Sequence, residues 1–84
     1  MQKVYVITYH SAYDYEMEDG IIGTYKKISD AKKMFKKSVE KEKETAKDLG
    51  WVIGTDSHSC FEAYEEGYYA QNHTCIRIIE STLE

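Results

Sequence analysis

The stretch Ser29–Gly50, SDAKKMFKKSVEKEKETAKDLG, decides the fold. At ~100° per residue, Ala31, Met34, Phe35, Val39, Ala46 and Leu49 share one side of a helical projection. Lys32, Lys33, Lys36, Lys37, Lys43 and Lys47 occupy the other. Ser29 or Asp30 offers a short side-chain oxygen to an orphan N–H of the first turn, and Gly50 supplies a left-handed stop after Leu49. One residue breaks the pattern. Glu42 falls in the middle of the apolar sector, where an ionised carboxylate is costly unless paired. A tyrosine hydroxyl or Arg77 could serve as partner and a site beneath the helix is the functional alternative, but the expectation is that the helix rotates or bends enough to bring Glu42 to its rim.

Strand signals flank this helix. Lys3–Ser11 is rich in β-branched and aromatic residues on both parities, as expected of a central strand. Ala12–Gly20 reads as an acidic hairpin connection with its turn towards the Asp19-Gly20 end. Gly20–Lys27 resumes strand character, with Gly23 marking a bulge or a close backbone approach. Beyond the helix, Trp51-Val52-Ile53 is a short apolar run before Gly54, Thr55 and Asp56. Cys60–Tyr64 reads as a strand turning at Glu65-Glu66-Gly67 into Tyr68-Tyr69. The alternative, a short helix capped by Ser57, is disfavoured because Gly67 costs ~1 kcal/mol in a helix interior. Thr74–Ile79 is the last strand, Ile76 and Ile78 on one face and Cys75, Arg77 and Ile79 on the other. The expected architecture is α+β, ββαββ: an antiparallel curved sheet packed on one long central helix.

With 84 residues the chain reads as one domain, residues 1–84, hiding only ~60–65% of the surface its unfolded form exposes. That size excludes a two-domain enzyme, a doubly wound nucleotide-binding sheet and a barrel. No apolar run is long enough to span a bilayer, and no charged-then-apolar leader precedes the first strand. Two cysteines are too few for a disulfide scaffold, so a cytoplasmic setting is expected. Charge is uneven along the chain. Residues 1–25 set one lysine against four acids, residues 26–48 nine lysines against five, and residues 49–84 one arginine against six.

Val4-Tyr5-Val6-Ile7 followed by His10, the acidic connection, and Ile22-Gly23-x-Tyr25 leading into Ser29-Asp30-Ala31 form a pattern. Gly50-Trp51 after the helix and the closing strand Cys75–Ile79 extend it. The pattern resembles small uncharacterised α+β proteins of phages, prophages and bacterial mobile elements, over about two-thirds of the chain. The long lysine-rich helix and the segment Ser57–Asn72 depart from that group. The resemblance implies a bacterial or phage setting and transfers no activity to any residue.

Three constellations are candidates for chemistry. His58-Ser-Cys60 and His73-Thr-Cys75 each place imidazole and thiol on one strand face, and a turn centred on Gly67-Tyr68 would set Cys60 opposite Cys75. Structural zinc sites use Cys-x₂₋₄-Cys knuckles whose ligands converge. Cys60 and Cys75 therefore read as ordinary buried thiols and His58 and His73 as surface imidazoles, with no metal and no cofactor expected. A Cys60–Cys75 disulfide is disfavoured in a reducing compartment. His10 with Tyr9, Tyr25 or Glu62 would make an acid–base set for phosphodiester cleavage, but nothing fixes their spacing. No P-loop, HExxH or serine-elbow motif is present. The chain reads as non-enzymatic.

The lysine face invites phosphate contacts through Lys32, Lys36, Lys43 and Lys47. Glu40 and Glu44 interrupt it, however, at spacings that allow intrahelical pairing. The second surface is a tyrosine–carboxylate mixture. Tyr13, Asp14, Tyr15, Glu16, Glu18 and Asp19 stand in one loop, and Tyr64, Glu65, Glu66, Tyr68 and Tyr69 in another. Either these rings complete a small core with acids for solubility, or they form one acidic aromatic contact surface. The second reading requires both loops at one end of the sheet. Carboxylates arrayed there imitate nucleic-acid phosphates and fit a basic groove. Joined to the phage resemblance, this gives the functional expectation: a DNA-mimicking, anti-CRISPR-like inhibitor of a host nucleic-acid enzyme, contacting it through Tyr13, Asp14, Tyr15, Glu16, Glu18, Asp19, Glu65, Glu66 and Tyr68. The alternative is a nucleic-acid-binding module using the four helix lysines. No membrane partner is expected.

Overall fold

The computed structural model describes residues 2–83. Helix α1 (Ile28–Leu49) forms as its periodicity dictates, burying Ala31, Phe35, Val39 and Ala46. It ends as expected on Gly50, whose φ of 73° and ψ of 24° place it in the left-handed region. Gly50 N donates to Lys47 O at 3.1 Å and Trp51 N to Ala46 O at 2.8 Å, so the last carbonyls are satisfied. The start differs from expectation. Lys27 is the N-cap, with extended backbone and no side-chain cap bond, and neither Ser29 nor Asp30 serves. Both lie inside the first turn, where the Asp30 carboxylate still opposes the helix dipole favourably. Leu49, expected on the buried sector, is exposed.

Five strands form one antiparallel sheet in the order β2-β1-β5-β4-β3. They are β1 (Gln2–Tyr13), β2 (Glu16–Tyr25), β3 (Val52–Asp56), β4 (Cys60–Tyr64) and β5 (His73–Leu83). The element order is thus ββαβββ, and the expected ββαββ is corrected by β3. That strand pairs Val52 with Tyr64 and Asp56 with Phe61, with a register shift around Gly54. All five of its residues are exposed at the sheet edge, so no alternation of burial marked it in the sequence. Ser57 closes its hairpin to β4, accepting from Cys60 N at 3.1 Å and donating to Cys60 O at 3.2 Å.

β1 is central, as its double-sided apolar pattern requires, with β2 and β5 on either side. The β1–β2 turn is not near Asp19-Gly20. It is Asp14-Tyr15, both at positive φ (50° and 70°), a tight two-residue reversal. Asp19 and Gly20 instead lie within β2 opposite His10 and Tyr9. The Tyr9 ring crosses Gly20, where a Cβ would stand 2.9 Å from Tyr9 Cε1 and push the ring aside. The expected irregularity at Gly23 is present: pairing shifts between Ile7, opposite Gly23, and Thr8, opposite Ile21.

The helix covers one face of the sheet. Ile7, Phe61, Ala63 and Ile76 meet Phe35, Val39 and Ala46 there, with Tyr9, Tyr25, Met34, Trp51 and Ile78 packed around them. Residues of opposite parity face away from the helix. This second face bears His10, Cys75, Glu62, Arg77 and Cys60, and no helix lies over it among the described residues. No helix among the described residues is long and apolar enough to cross a membrane.

Candidate functional site

Antiparallel pairing brings the two acidic segments to one end. Ala12 in β1 is opposite His73 in β5, and His73 is opposite Tyr64 in β4. The chain beyond those positions, the Asp14-Tyr15 turn on one side and the loop from Glu65 to Asn72 on the other, therefore leaves the sheet at the same edge. Asn72 joins them. Its Oδ1 accepts from Asp14 N at 2.9 Å, and its Nδ2 donates to Glu65 Oε2 at 2.9 Å. Tyr15 N adds a bond to Gln71 O at 3.3 Å. A tight turn with two non-glycine residues at positive φ is strained, and these cross-loop bonds compensate it.

The nine expected contact residues are distributed as follows. Tyr15 is 69% exposed and Tyr68 52%, so neither ring completes the core. Tyr13 stacks on Trp51 with centroids 5.3 Å apart, yet keeps an exposed edge. Burial, and then the charge of Glu42, raise its phenol above the ordinary value. Asp14, Glu16, Glu18, Asp19 and Glu66 are exposed, and Glu65 is half-buried against Asn72. The β2 acids do not form a single plane. Glu16 and Glu18 are on the helix side, whereas Asp19 and the exposed Met17 alternate to the other. Together they line an edge strand that runs down from the acidic end.

A groove of about 420 Å³ opens between α1 and the first hairpin, lined by Tyr9, Tyr13, Glu18, Lys41, Glu42 and Thr74 among others. Glu18 Oε1 accepts from the Tyr9 hydroxyl at 3.1 Å, and this bond raises the Tyr9 phenol. Glu42 is half-buried and accepts from the Thr74 hydroxyl at 3.4 Å. Of its two possible partners, Arg77 is on the opposite face of the sheet and no tyrosine hydroxyl bonds to it. A carboxylate on the apolar stripe of the helix is tolerated here because it opens into this groove.

The lysine face is less uniform than its sequence suggests. Lys32, Lys36 and Lys47 are exposed, but Lys43 is bound to Asp56 at 2.7 Å. Lys47 lies in the last helical turn, and Trp51, just past that turn, stacks on Tyr13, so this end of the helix is beside the acidic end.

The open face rearranges the histidine and cysteine expectations. Cys60 is opposite Arg77 and Cys75 opposite Glu62, two residues from the expected Cys60–Cys75 register. The reversal is a loop from Glu65 to Asn72 closed by Glu65 N to Asn72 O at 3.0 Å, not a tight turn at Gly67-Tyr68. Both cysteines are free thiols and only half-buried, and His73, expected at the surface, is buried beneath the Tyr69 ring. His58 is exposed beside β4, in a hollow shared with Tyr5 and Lys32, apart from His73. No group of three or more His, Cys, Asp or Glu among the described residues is arranged to hold a metal. His10 projects to the open face and Tyr9 and Tyr25 to the helix face, so that acid–base set does not converge. Glu62 alone of its candidate partners shares the face of His10, with Cys75 between them.

Two participants escaped the sequence reading. Asn72 was a loop residue without a pattern, although a lone Asn before a strand commonly bonds nearby backbone. Tyr69, in the second tyrosine–carboxylate stretch but outside the nine contact residues, folds over the open face. Its ring lies 4.9 Å from His73 at 10°, and its hydroxyl donates to Glu62 Oε2 at 2.9 Å, which raises its phenol. His73 in turn lies 5.0 Å from His10 at 29°. No family model, curated protein or solved structure matches the chain.

Proposed function

We propose that the chain is a non-enzymatic protein-binding domain whose contact surface is the acidic, tyrosine-rich end. The observation that carries this reading is the pair of hydrogen bonds of Asn72, which ties the Asp14-Tyr15 turn to Glu65. Exposed phenols between carboxylates combine rigid contact area with charge, the composition suited to a basic protein surface. The nearby groove with Glu18 and Glu42 accommodates a cationic side chain at the margin of that surface. In its concrete form the protein is a phage- or mobile-element-encoded, anti-CRISPR-like inhibitor. It acts in the cytoplasm by occupying the nucleic-acid groove of a host defence enzyme as a DNA mimic.

The test is inhibition of DNA cleavage by purified RNA-guided nucleases at increasing salt, with a variant carrying Asn or Gln at 14, 16, 18 and 19. Inhibition that weakens with salt and is lost in the variant supports the reading. Inhibition retained by the variant, or its absence across the nucleases, overturns it. A gel shift of naked DNA or RNA that depends on Lys32, Lys36 and Lys47 would instead assign the surface to the helix. Those three lysines are exposed, which gives that second reading its footing.

A further inference from the structure

The open face of the sheet carries Arg77, the one arginine of the chain. It is exposed, and the ion pairs of the described residues, Lys3–Glu80 and Lys43–Asp56, do not include it. Its neighbours are instead the thiols of Cys60, directly opposite, and Cys75, two residues back on its own strand. Thiols are weak acceptors, so most of the guanidinium fork is not engaged by a hard oxygen. A guanidinium stays protonated in proteins whatever surrounds it, so Arg77 is a permanent cation.

Arg77 borders a hollow of about 260 Å³ that Thr8, His10, Glu62, Tyr69 and Cys75 also line. The hollow has a stacked aromatic wall. Tyr69, His73 and His10 form a column with successive centroids 4.9 and 5.0 Å apart. The column is pinned at two points. The Tyr69 hydroxyl donates to Glu62, and the carbonyl of Tyr69 accepts from His73 Nδ1 at 2.7 Å. Because a carbonyl only accepts, that nitrogen carries the proton, and the ring of the nearly buried His73 is fixed. A preformed wall of flat rings beside one guanidinium without a carboxylate partner is a recognition geometry: the fork matches an oxyanion in two bonds, and the rings accept a stacked partner.

We infer that this hollow binds a small molecule joining one oxyanion, carboxylate or phosphate, to a flat ring. The oxyanion pairs with Arg77 and the ring lies against the His10 side of the column. The volume is below the ~300–1,000 Å³ of drug-sized sites, so the ligand is of fragment size. Glu62 sets the preference. Its Oε2 is occupied by Tyr69, but its charge remains at the hollow and opposes a dianion more than a monoanion, which favours carboxylate over phosphate. The inference is independent of the acidic end and does not require a protein partner.

Titration of the ¹⁵N-labelled protein with benzoate, phenyl phosphate and neutral benzamide, followed by amide shifts, tests it. Saturable shifts at Thr8, Cys75 and Arg77 are expected with benzoate in the millimolar range and are weaker with phenyl phosphate. Arg77→Lys keeps the charge but loses the fork and should weaken benzoate about tenfold. Glu62→Gln should tighten phenyl phosphate more than benzoate. Equal shifts from benzamide and benzoate in the unaltered protein would overturn the site without recourse to any variant. So would an unchanged benzoate affinity in folded Arg77→Lys protein, or an absence of saturation.

Discussion

The two faces of this sheet are built on different physics. Beneath the helix, Ile7 and Phe61 are wholly removed from water within a cluster of apolar and aromatic side chains. The other face carries imidazoles, thiols, carboxylates and a guanidinium, partly ordered by stacking and hydrogen bonds, while Met17, Ile21 and Ile79 stay exposed. Apolar burial is non-directional and scales with area, so the first face holds the fold. Stacking and polar bonds are directional and contribute less, so the second face is free to specialise. The largest expected effect tests this contrast. Phe61→Ala should lower stability by about 3–5 kcal/mol in urea unfolding. Ile79→Ala, an aliphatic truncation on the other side of the same sheet, should cost about 0.5 kcal/mol. A cost for Ile79→Ala close to that of Phe61→Ala would mean that the open face is covered.

The polar bonds of the acidic end come next in size. Asn72→Ala removes an acceptor from Asp14 N and a donor from the half-buried Glu65. A loss of about 1–2 kcal/mol is expected. Faster amide exchange should be confined to Asp14, Tyr15 and the Glu65–Asn72 loop. Uniformly faster exchange would show that the acidic end is part of the cooperative core rather than pinned to it.

The boundary between what could be read in advance and what could not follows the same division. The helix, its Gly50 stop, the central first strand and the two-faced last strand were legible because burial imposes a period on the residues that experience it. β3 was not, since all its residues are exposed and its Gly54 interrupts any pattern. The Asp14-Tyr15 turn was hidden because its left-handed backbone is held by Asn72 and Gln71, distant in sequence, whereas Asp19-Gly20 had the local turn chemistry. Gly20 instead lies within β2 beneath the Tyr9 ring. Among functional candidates, the acidic residues were legible by type, and their assembly at one end depended on pairing partners far along the chain. The Cys60–Cys75 register failed by two residues because loop length sets register, and the loop from Glu65 to Asn72 is bonded along its own path.

The smallest expected effect concerns alkaline pH and separates the same two faces. Tyr9 and Tyr13 on the helix side and Tyr69 over the open face all have phenols raised above the ordinary value of 10.0. Hydrogen bonding to Glu18 is the main cause for Tyr9, burial for Tyr13 and hydrogen bonding to Glu62 for Tyr69. In each case the folded chain keeps a proton that the unfolded chain releases near pH 10. Stability from these groups is therefore fully present below that pH and lost as pH rises through the raised folded values. Urea midpoints should be flat in this respect up to about pH 9 and decline above about pH 10, by less than the Asn72→Ala effect. Tyr13→Phe and Tyr69→Phe should each flatten part of the decline, Tyr13→Phe through lost desolvation and Tyr69→Phe through the lost Glu62 bond. Only Tyr69→Phe should also loosen the His73–His10 column, seen as altered imidazole ring shifts at neutral pH. Matching ring shifts in Tyr13→Phe would show that the two faces communicate through the sheet, contrary to the independence their chemistry implies.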